Sequence, residues 1–375
     1  MRSKKLLPVF IGVGSVWLAT AFGPGFSAGT MLNEFFTKHG FIGIFLPILA
    51  ITILGIAIYF ALEFARVYKT FNFRDYANTL FAPFSKFIGP LVDICFLFIT
   101  ISVLAACLAA GGTLLERFWD IPYWWGVGGI IVVGGLFCIF GAELVRRASS
   151  FIMIFATTIL LSVVVLAFTI GSHDLDGSIA NNVANAKDPN LLSAIWTAIL
   201  YASFQACAIF NVISVAGVLK SKKDSAKSAI FGAVGNLLLL IPLILLMFSF
   251  TNVFAITSDP LPLYSIIQTL NIPWLTTVYV LLVLMAIISS IFAFIYAGIA
   301  RYKKYVKIKN EKVRDGLIAV AILTVCVFVA SFGFLTIVSV GFTAMGYVCL
   351  PIMLIPALFI ASHKISKKYR DRHKK

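Results

Sequence analysis

Ten stretches of this chain are each long and apolar enough to cross a bilayer, and that settles the class of fold before any single residue is considered. A helix needs about 20 apolar residues to span the hydrocarbon core. Windows of that size fall at 8–36, 41–65, 87–115, 122–142, 149–171, 191–219, 228–250, 273–300, 315–334 and 337–361. In lipid every backbone N–H and C=O must find its partner within the protein, so spans with no sheet to close are helices. Composition agrees: 61% of the residues are hydrophobic and 12% charged, against about half and a quarter in a soluble domain. The expected fold class is an all-α membrane protein with ten transmembrane helices. The first, third, sixth and eighth stretches exceed the bilayer and should tilt, break or protrude. The weakest boundary lies between the ninth and tenth, at Ser331-Phe332-Gly333.

A net charge of +15 would suit nucleic acid if it formed one exposed patch. Here the basic residues sit in short tracts between spans, which excludes that partner and points to the lipid bilayer instead. With the N-terminus inside, 27 of the 30 Lys and Arg residues fall on the inner side, leaving Lys38, Arg117 and Lys187 outside. The positive-inside rule then puts both termini in the cytoplasm, with the chain in the plasma membrane. Losing one span would invert every later loop, so the split supports the count. Trp119, Trp124, Trp125, Trp196 and Trp274 cluster at expected outer ends, as interfacial anchors do.

The six cysteines (Cys95, Cys107, Cys138, Cys207, Cys326, Cys349) all fall inside apolar spans and read as packing residues. The four histidines (His39, His173, His363, His373) lie in loops or the tail, so no membrane-embedded His/Cys metal site and no bound cofactor is expected. The basic Met1–Lys5 start leads into a span too long for a signal peptide's apolar region. Residues 67–86 mix aromatics and charges as an interfacial helix would. Residues 251–272 read as an outer loop with a short helix, and 172–190 as a polar exposed loop.

Ten spans divide into 1–5 and 6–10. Five is odd, so the second half begins on the opposite face and the halves are inverted in topology. The chain is then one transmembrane domain: a first repeat over about 8–171, the outer loop 172–190, a second repeat over about 191–361, and a basic cytoplasmic tail, 362–375. Spans 1 and 6 are both long and unusually polar near the middle. No residue-level repeat is visible.

The first span carries Gly23-Pro24-Gly25 and Gly29. Pro24 removes a backbone donor and clashes with the preceding turn, so the helix should unwind around 22–26. Carbonyls near Ala19 and Phe22 could then hold a cation. N–H groups from Phe26 through Ser27 to Gly29 could hold a carboxylate, aided by the helix dipole. The competing reading is a proline kink with glycines packed on a neighbouring helix. The sixth span sets Tyr201, Ser203, Gln205 and Asn211 at membrane depth. Ser203 and Gln205 are candidates for substrate contact, with interhelical hydrogen bonding as the alternative. In the eighth span, Ala286-Ile287-Ile288-Ser289-Ser290 offers two hydroxyls that could complete a Na⁺ site with the first-span carbonyls, or bond back to their own helix. Among the acids, Asp93 is a candidate proton relay or ion-pair member, Glu63 should pair with Arg66, and Glu34 sits near the outer end of span 1. Paired catalytic groups at depth are lacking, so an enzyme is not expected.

Gly-Pro-Gly-Phe-Ser-Ala-Gly at 23–29, followed by Glu34-Phe35-Phe36, resembles the first-span signature of YkvI-type bacterial membrane proteins. Those are similar to the amino acid–polyamine–organocation superfamily, with its LeuT-type five-plus-five inverted repeat and broken helices 1 and 6. The resemblance implies a small-molecule site between those broken helices, including Gly23, Pro24, Gly25, Phe26, Ser27, Gly29, Tyr201, Ser203 and Gln205. It implies secondary transport of amino acids or related nitrogen compounds with Na⁺ or H⁺ as the coupling ion. It also implies a Na⁺ site of Ala19, Phe22, Ala286, Ser289 and Ser290, whose last three positions match the family's spacing. The sequence departs from the pattern at Thr30-Met31, where an acid is usual, and in a sixth span without its glycine. The Asp-Pro-Gly-Asn ligands of divalent-metal transporters of this fold are absent. A non-transporting receptor on the same fold, like a spore-germinant receptor subunit, is the alternative expectation.

Overall fold

The computed structural model describes residues 8–139, 158–170, 174–184, 190–252, 256–303 and 305–373. Arg2, Lys4, Lys5, Arg146, Arg147, His173 and Lys187, with the end of the fourth expected span and the start of the fifth, lie outside the described residues.

Among the described residues the helices fall into ten spans. Span 1 is divided into Val9–Ala21, Pro24–Ser27 and Thr30–Phe35. Span 2 is Leu46–Tyr68, span 3 Ser85–Trp119 and span 4 Tyr123–Ile139. Span 5 is seen over Thr158–Ile170. Span 6 consists of Leu191–Gln205 and Ala208–Ser214, bent by 40°. Spans 7, 8 and 9 are Lys222–Ser249, Pro273–Tyr302 and Glu311–Ala330. Span 10 runs over Phe334–Asp371. Gly333, at φ 82°, turns the chain between spans 9 and 10, so the weakest sequence boundary is a true one.

Local chemistry sets several ends. Ser221 and Asp224 form a reciprocal capping box at the start of span 7. Asn190 caps span 6, and Asn72 caps the helix Phe73–Leu80. That helix lies in the 67–86 segment and buries Tyr76, Ala77 and Leu80 while Arg74, Asp75 and Asn78 stay exposed. In span 10, π-helical turns at Leu350–Leu354 and Pro356–Ala361 begin next to Pro351 and at Pro356, each of which removes one ladder donor.

Spans 1, 2, 6 and 7 pack as one group and spans 3, 4, 8 and 9 as another, with span 10 against spans 2 and 6. Trp17 of span 1 packs closely against span 7. A Cβ on Gly232 would lie 2.4 Å from the Trp17 ring, so only a glycine lets these helices meet. Basic side chains gather at one end of the bundle. Lys227 stands over Phe10, Arg66 reaches the Lys220 carbonyl, and Lys364 donates to the carbonyls of Thr79 and Ala82. Trp119, Trp124, Trp125, Trp196 and Trp274 are exposed.

Candidate functional site

The break in span 1 follows from where its hydrogen bonds go. In a continuous helix Gly23 N–H would close on the Ala19 carbonyl; here it donates to Ala21 at 3.0 Å. Phe22, at φ −83° and ψ 71°, is the centre of that tight turn. The donor due to Thr20 would come from Pro24, which has none. The donor due to Phe22 is Phe26 N–H, which turns to Gly23 at 3.1 Å. Three carbonyls, of Ala19, Thr20 and Phe22, thus lose their helical partners within one turn.

Those residues border a cavity of about 340 Å³. Span 1 contributes Val16, Ala19, Thr20 and Phe22, span 6 contributes Asn211 and Ser214, and span 8 contributes Ala286, Ser289, Ser290, Ala293 and Phe294. Asn211 Nδ2 donates to Thr20 Oγ1 at 3.1 Å, which ties the two broken spans together at the cavity wall. The polar lining is hydroxyl, amide and carbonyl, with no charged side chain among the described residues. Such a surface can coordinate a hard monovalent cation and orient a small polar molecule.

The structure therefore brings Ala19, Phe22, Ala286, Ser289 and Ser290 to one cavity. It sets the other sequence candidates beside or above it. Gly23 faces open space, whereas a Cβ on Gly25 would touch Met31 and Phe342 at 3.2 Å. Pro24, Gly25, Phe26 and Ser27 are buried. The N–H groups of Phe26, Ser27, Ala28 and Gly29 already donate to Gly23, Gly23, Pro24 and Phe26, because the short turn closes on itself. Tyr201 belongs to an aromatic layer with Phe35, Phe36 and Phe204. Ser203 Oγ donates to the Gly346 carbonyl at 2.6 Å, and Gln205 Nε2 to the Tyr201 hydroxyl at 3.3 Å. Both are interhelical or intrahelical bonds away from the cavity lining. Asp93 pairs with Arg301 of span 8, also outside the cavity.

Thr20 and Ser214 were not singled out from sequence, and Asn211 only as a polar residue at depth. Helical spacing carries the signal: Val16 to Thr20, Asn211 to Ser214, and Ala286 to Ser289, Ser290 and Ala293 each follow one helix face.

Beyond the break, the loop after span 7 packs onto the second half of span 1. The helix Pro262–Thr269 lies over the second half of span 1. Thr30 Oγ1 donates to Pro260 O at 2.5 Å, Leu263 N–H to Ala28 O at 3.1 Å, and Tyr279 OH to Ser27 O at 2.6 Å. Arg117 holds Asp259 of the same loop at 2.7 Å. Gly29 makes this lid possible. Its φ is 84°, and a Cβ there would lie 2.7 Å from Leu263. Gly29→Val should lower stability by about 2 kcal/mol or more, since backbone strain and overpacking add; a melting temperature equal to the parent's would contradict the close packing.

No protein-family model matches this sequence, and no curated protein matches it either. Solved structures do match in fold. MhsT in complex with L-phenylalanine superposes with a TM-score of 0.65 at 14% identity, covering 98% of each chain. The Eremococcus coleocola manganese transporter gives 0.63 at 12% identity over 93% of this chain and 78% of that one. A Na⁺-coupled sialic acid symporter, solved in a substrate-bound outward-open state, gives 0.60 at 15% identity over 87% and 72%. At such identities the likeness is one of fold. The chain is an all-α, multi-pass membrane protein with the LeuT-type five-plus-five inverted repeat.

Proposed function

We propose that the chain is a secondary active transporter of a small amino acid or a related zwitterion or amine, coupled to Na⁺, working by alternating access around the central cavity. One observation carries this reading. Freed carbonyls of a broken span 1, the Asn211 side of a broken span 6 and the two hydroxyls of span 8 line a single cavity of about 340 Å³.

In this reading the carbonyls of Ala19, Phe22 and Ala286 and the hydroxyls of Ser289 and Ser290 hold Na⁺. Oxygen donors without charge suit it. A divalent transition metal would call for carboxylate, imidazole or thioether ligands, and the described lining has none. The substrate meets Thr20, Asn211 and Ser214. A zwitterion fits a lining without charged side chains, because it brings its own balancing charge. Two of the similar folds bear on this by analogy: one binds L-phenylalanine and one is a Na⁺-coupled symporter. The first-span signature supports placement with the YkvI-type proteins.

The basic end of the bundle faces the cytoplasm of the plasma-membrane protein, so the closed lid is extracellular and the cavity is on its inward-facing side. Gly23 to Ser27, Gly29, Tyr201, Ser203 and Gln205 then belong to the half that opens outward, and meet substrate when the aromatic layer parts. Proton coupling through Asp93 is disfavoured by its pairing with Arg301 away from the cavity.

The test is uptake of amino acids and amines into proteoliposomes under a Na⁺ gradient, together with melting curves of the purified protein in Na⁺ and K⁺. Na⁺-driven accumulation of one substrate class is expected. Neither uptake nor stabilisation by any of these compounds, in either salt, would sink the proposal; stabilisation without flux would point to a receptor. Asn211→Ala should weaken substrate binding about tenfold, the worth of about one hydrogen bond, measured as the half-saturating concentration for uptake.

A further inference from the structure

A second cavity, of about 490 Å³, lies at the basic end of the bundle, between the helix Phe73–Leu80, the start of span 3 and the end of span 8. Arg74, Lys86 and Arg301 line it, with Asp93 the one carboxylate among the described lining residues. Asp93 is already paired to Arg301, which leaves an excess of positive charge. The Arg301 guanidinium sits 5.4 Å from the centre of the Phe73 ring and 4.9 Å from that of Phe96. Its Nε is buried with no hydrogen-bond partner among the described residues, a costly arrangement for a donor.

Ser85 and Lys86, which also line the cavity, open a 35-residue helix whose N-terminus no side chain caps. The first N–H groups of a helix have no intrahelical acceptor, and the dipole there favours an anion. Arginine adds a planar fork that matches phosphate. Uncapped helix start, three lining basic side chains and surplus charge converge on one phosphate-bearing group.

The neighbouring surface says what carries that phosphate. Phe84, Phe87, Leu91 and Ile94, on the same helix start, are 64%, 84%, 50% and 63% exposed. In a membrane protein these face acyl chains. Polar cavity and apolar strip therefore lie side by side at the depth where headgroup meets hydrocarbon. We propose that this cavity binds the headgroup of an anionic phospholipid, whose acyl chains lie along Phe87, Leu91 and Ile94.

Occupancy bears on the central site. Phe73 and Phe96, which sandwich Arg301, both meet Phe210 edge-on, with ring centres 3.8 and 5.6 Å apart. Phe210 belongs to the second half of span 6 and precedes Asn211. A lipid that fixes Arg301 fixes the rings that hold this half-helix.

The test uses the full chain in detergent, melted with dihexanoyl phosphatidylglycerol, dihexanoyl phosphatidylcholine or inorganic phosphate at matched concentrations. Phosphatidylglycerol should raise the melting temperature, and the other two should not. Arg74→Gln with Lys86→Gln should raise the half-saturating phosphatidylglycerol concentration about 30-fold, at about 1 kcal/mol per cation. Lys222→Gln with Lys223→Gln, exposed basic residues elsewhere at the same end, should leave it unchanged. If the first pair destabilises the protein in phosphatidylcholine, Lys86→Gln alone should still weaken the response about fivefold. Equal shifts with both lipids, or a response that survives Arg74→Gln with Lys86→Gln, would overturn the site. Equal losses in both double variants would replace it with diffuse attraction. Protection by phosphate equal to that by phosphatidylglycerol would replace the lipid with a soluble anion.

Discussion

On the proposed Na⁺ coupling, replacing Ser289 and Ser290 together by Ala should erase the protein's response to Na⁺. Both hydroxyls border the cavity that also receives Ala19, Phe22 and Ala286. Each hydroxyl lost from a cation removes a charge-assisted contact worth about 1.5–3 kcal/mol, so apparent Na⁺ affinity should fall on the order of a hundredfold or more. Alanine is the best helix former and leaves span 8 intact, so a lost response would not reflect a lost fold. The measurement is the difference in melting temperature between Na⁺ and K⁺ buffer, paired with Na⁺-driven uptake. Ser290 also engages the Cys107 thiol, so Cys107→Ala is the control and should keep the Na⁺ response. A double variant that answers Na⁺ as the parent does would move the ion elsewhere.

Glu63→Ala should produce the largest loss of stability. The Glu63 side chain is fully buried, and Arg66 beside it is 17% exposed. Arg66 Nε and Nη2 donate to the carboxylate at 2.9 and 2.7 Å, Ser225 Oγ donates at 2.8 Å, and the Tyr369 hydroxyl donates as well. Removing the carboxylate leaves the guanidinium, among the described residues, with only the Lys220 carbonyl and the Tyr369 hydroxyl, and leaves the Ser225 and Tyr369 hydroxyls without their acceptor, where water is scarce. Breaking a buried pair from one side costs about 3–5 kcal/mol. Tyr369→Phe removes one donor and should cost about 1 kcal/mol, and Glu63→Gln should fall between the two. Melting curves in one detergent rank the three; a Glu63→Ala variant that melts with the parent would mean that the network contributes nothing net.

The break in span 1 was legible because its cause is local. Pro24 is the missing donor for Thr20, and no neighbour is needed to see it. The bend in span 6 was implied by the resemblance but is written in no residue of Ala206-Cys207. It comes with contacts made elsewhere, such as Ser203 to Gly346, 143 positions away. The same contacts explain why Ser203 and Gln205 lie off the cavity: polarity at depth says that a partner exists, not which one. Asn211 shares that polarity and does reach the cavity, because it lies on the far side of the bend. The Ser289-Ser290 pair stood out as two adjacent hydroxyls in an apolar span, and its spacing from Ala286 matched the family the chain resembles. The lid was visible only as a loop with a short helix. That Gly29 would sit under Leu263 depends on two segments more than 200 residues apart.

The Glu63 network has a consequence for the order of assembly. Its carboxylate belongs to span 2, while the Tyr369 hydroxyl that completes it comes 306 residues later. Ser225 arrives at an intermediate point, 162 residues on. During synthesis the Glu63–Arg66 pair enters the membrane with two of its partners still to be made. The basic end of the bundle is thus sealed in stages. A ribosome-stalled chain that stops short of residue 369 should leave Arg66 more open to a water-soluble arginine reagent than the finished protein does.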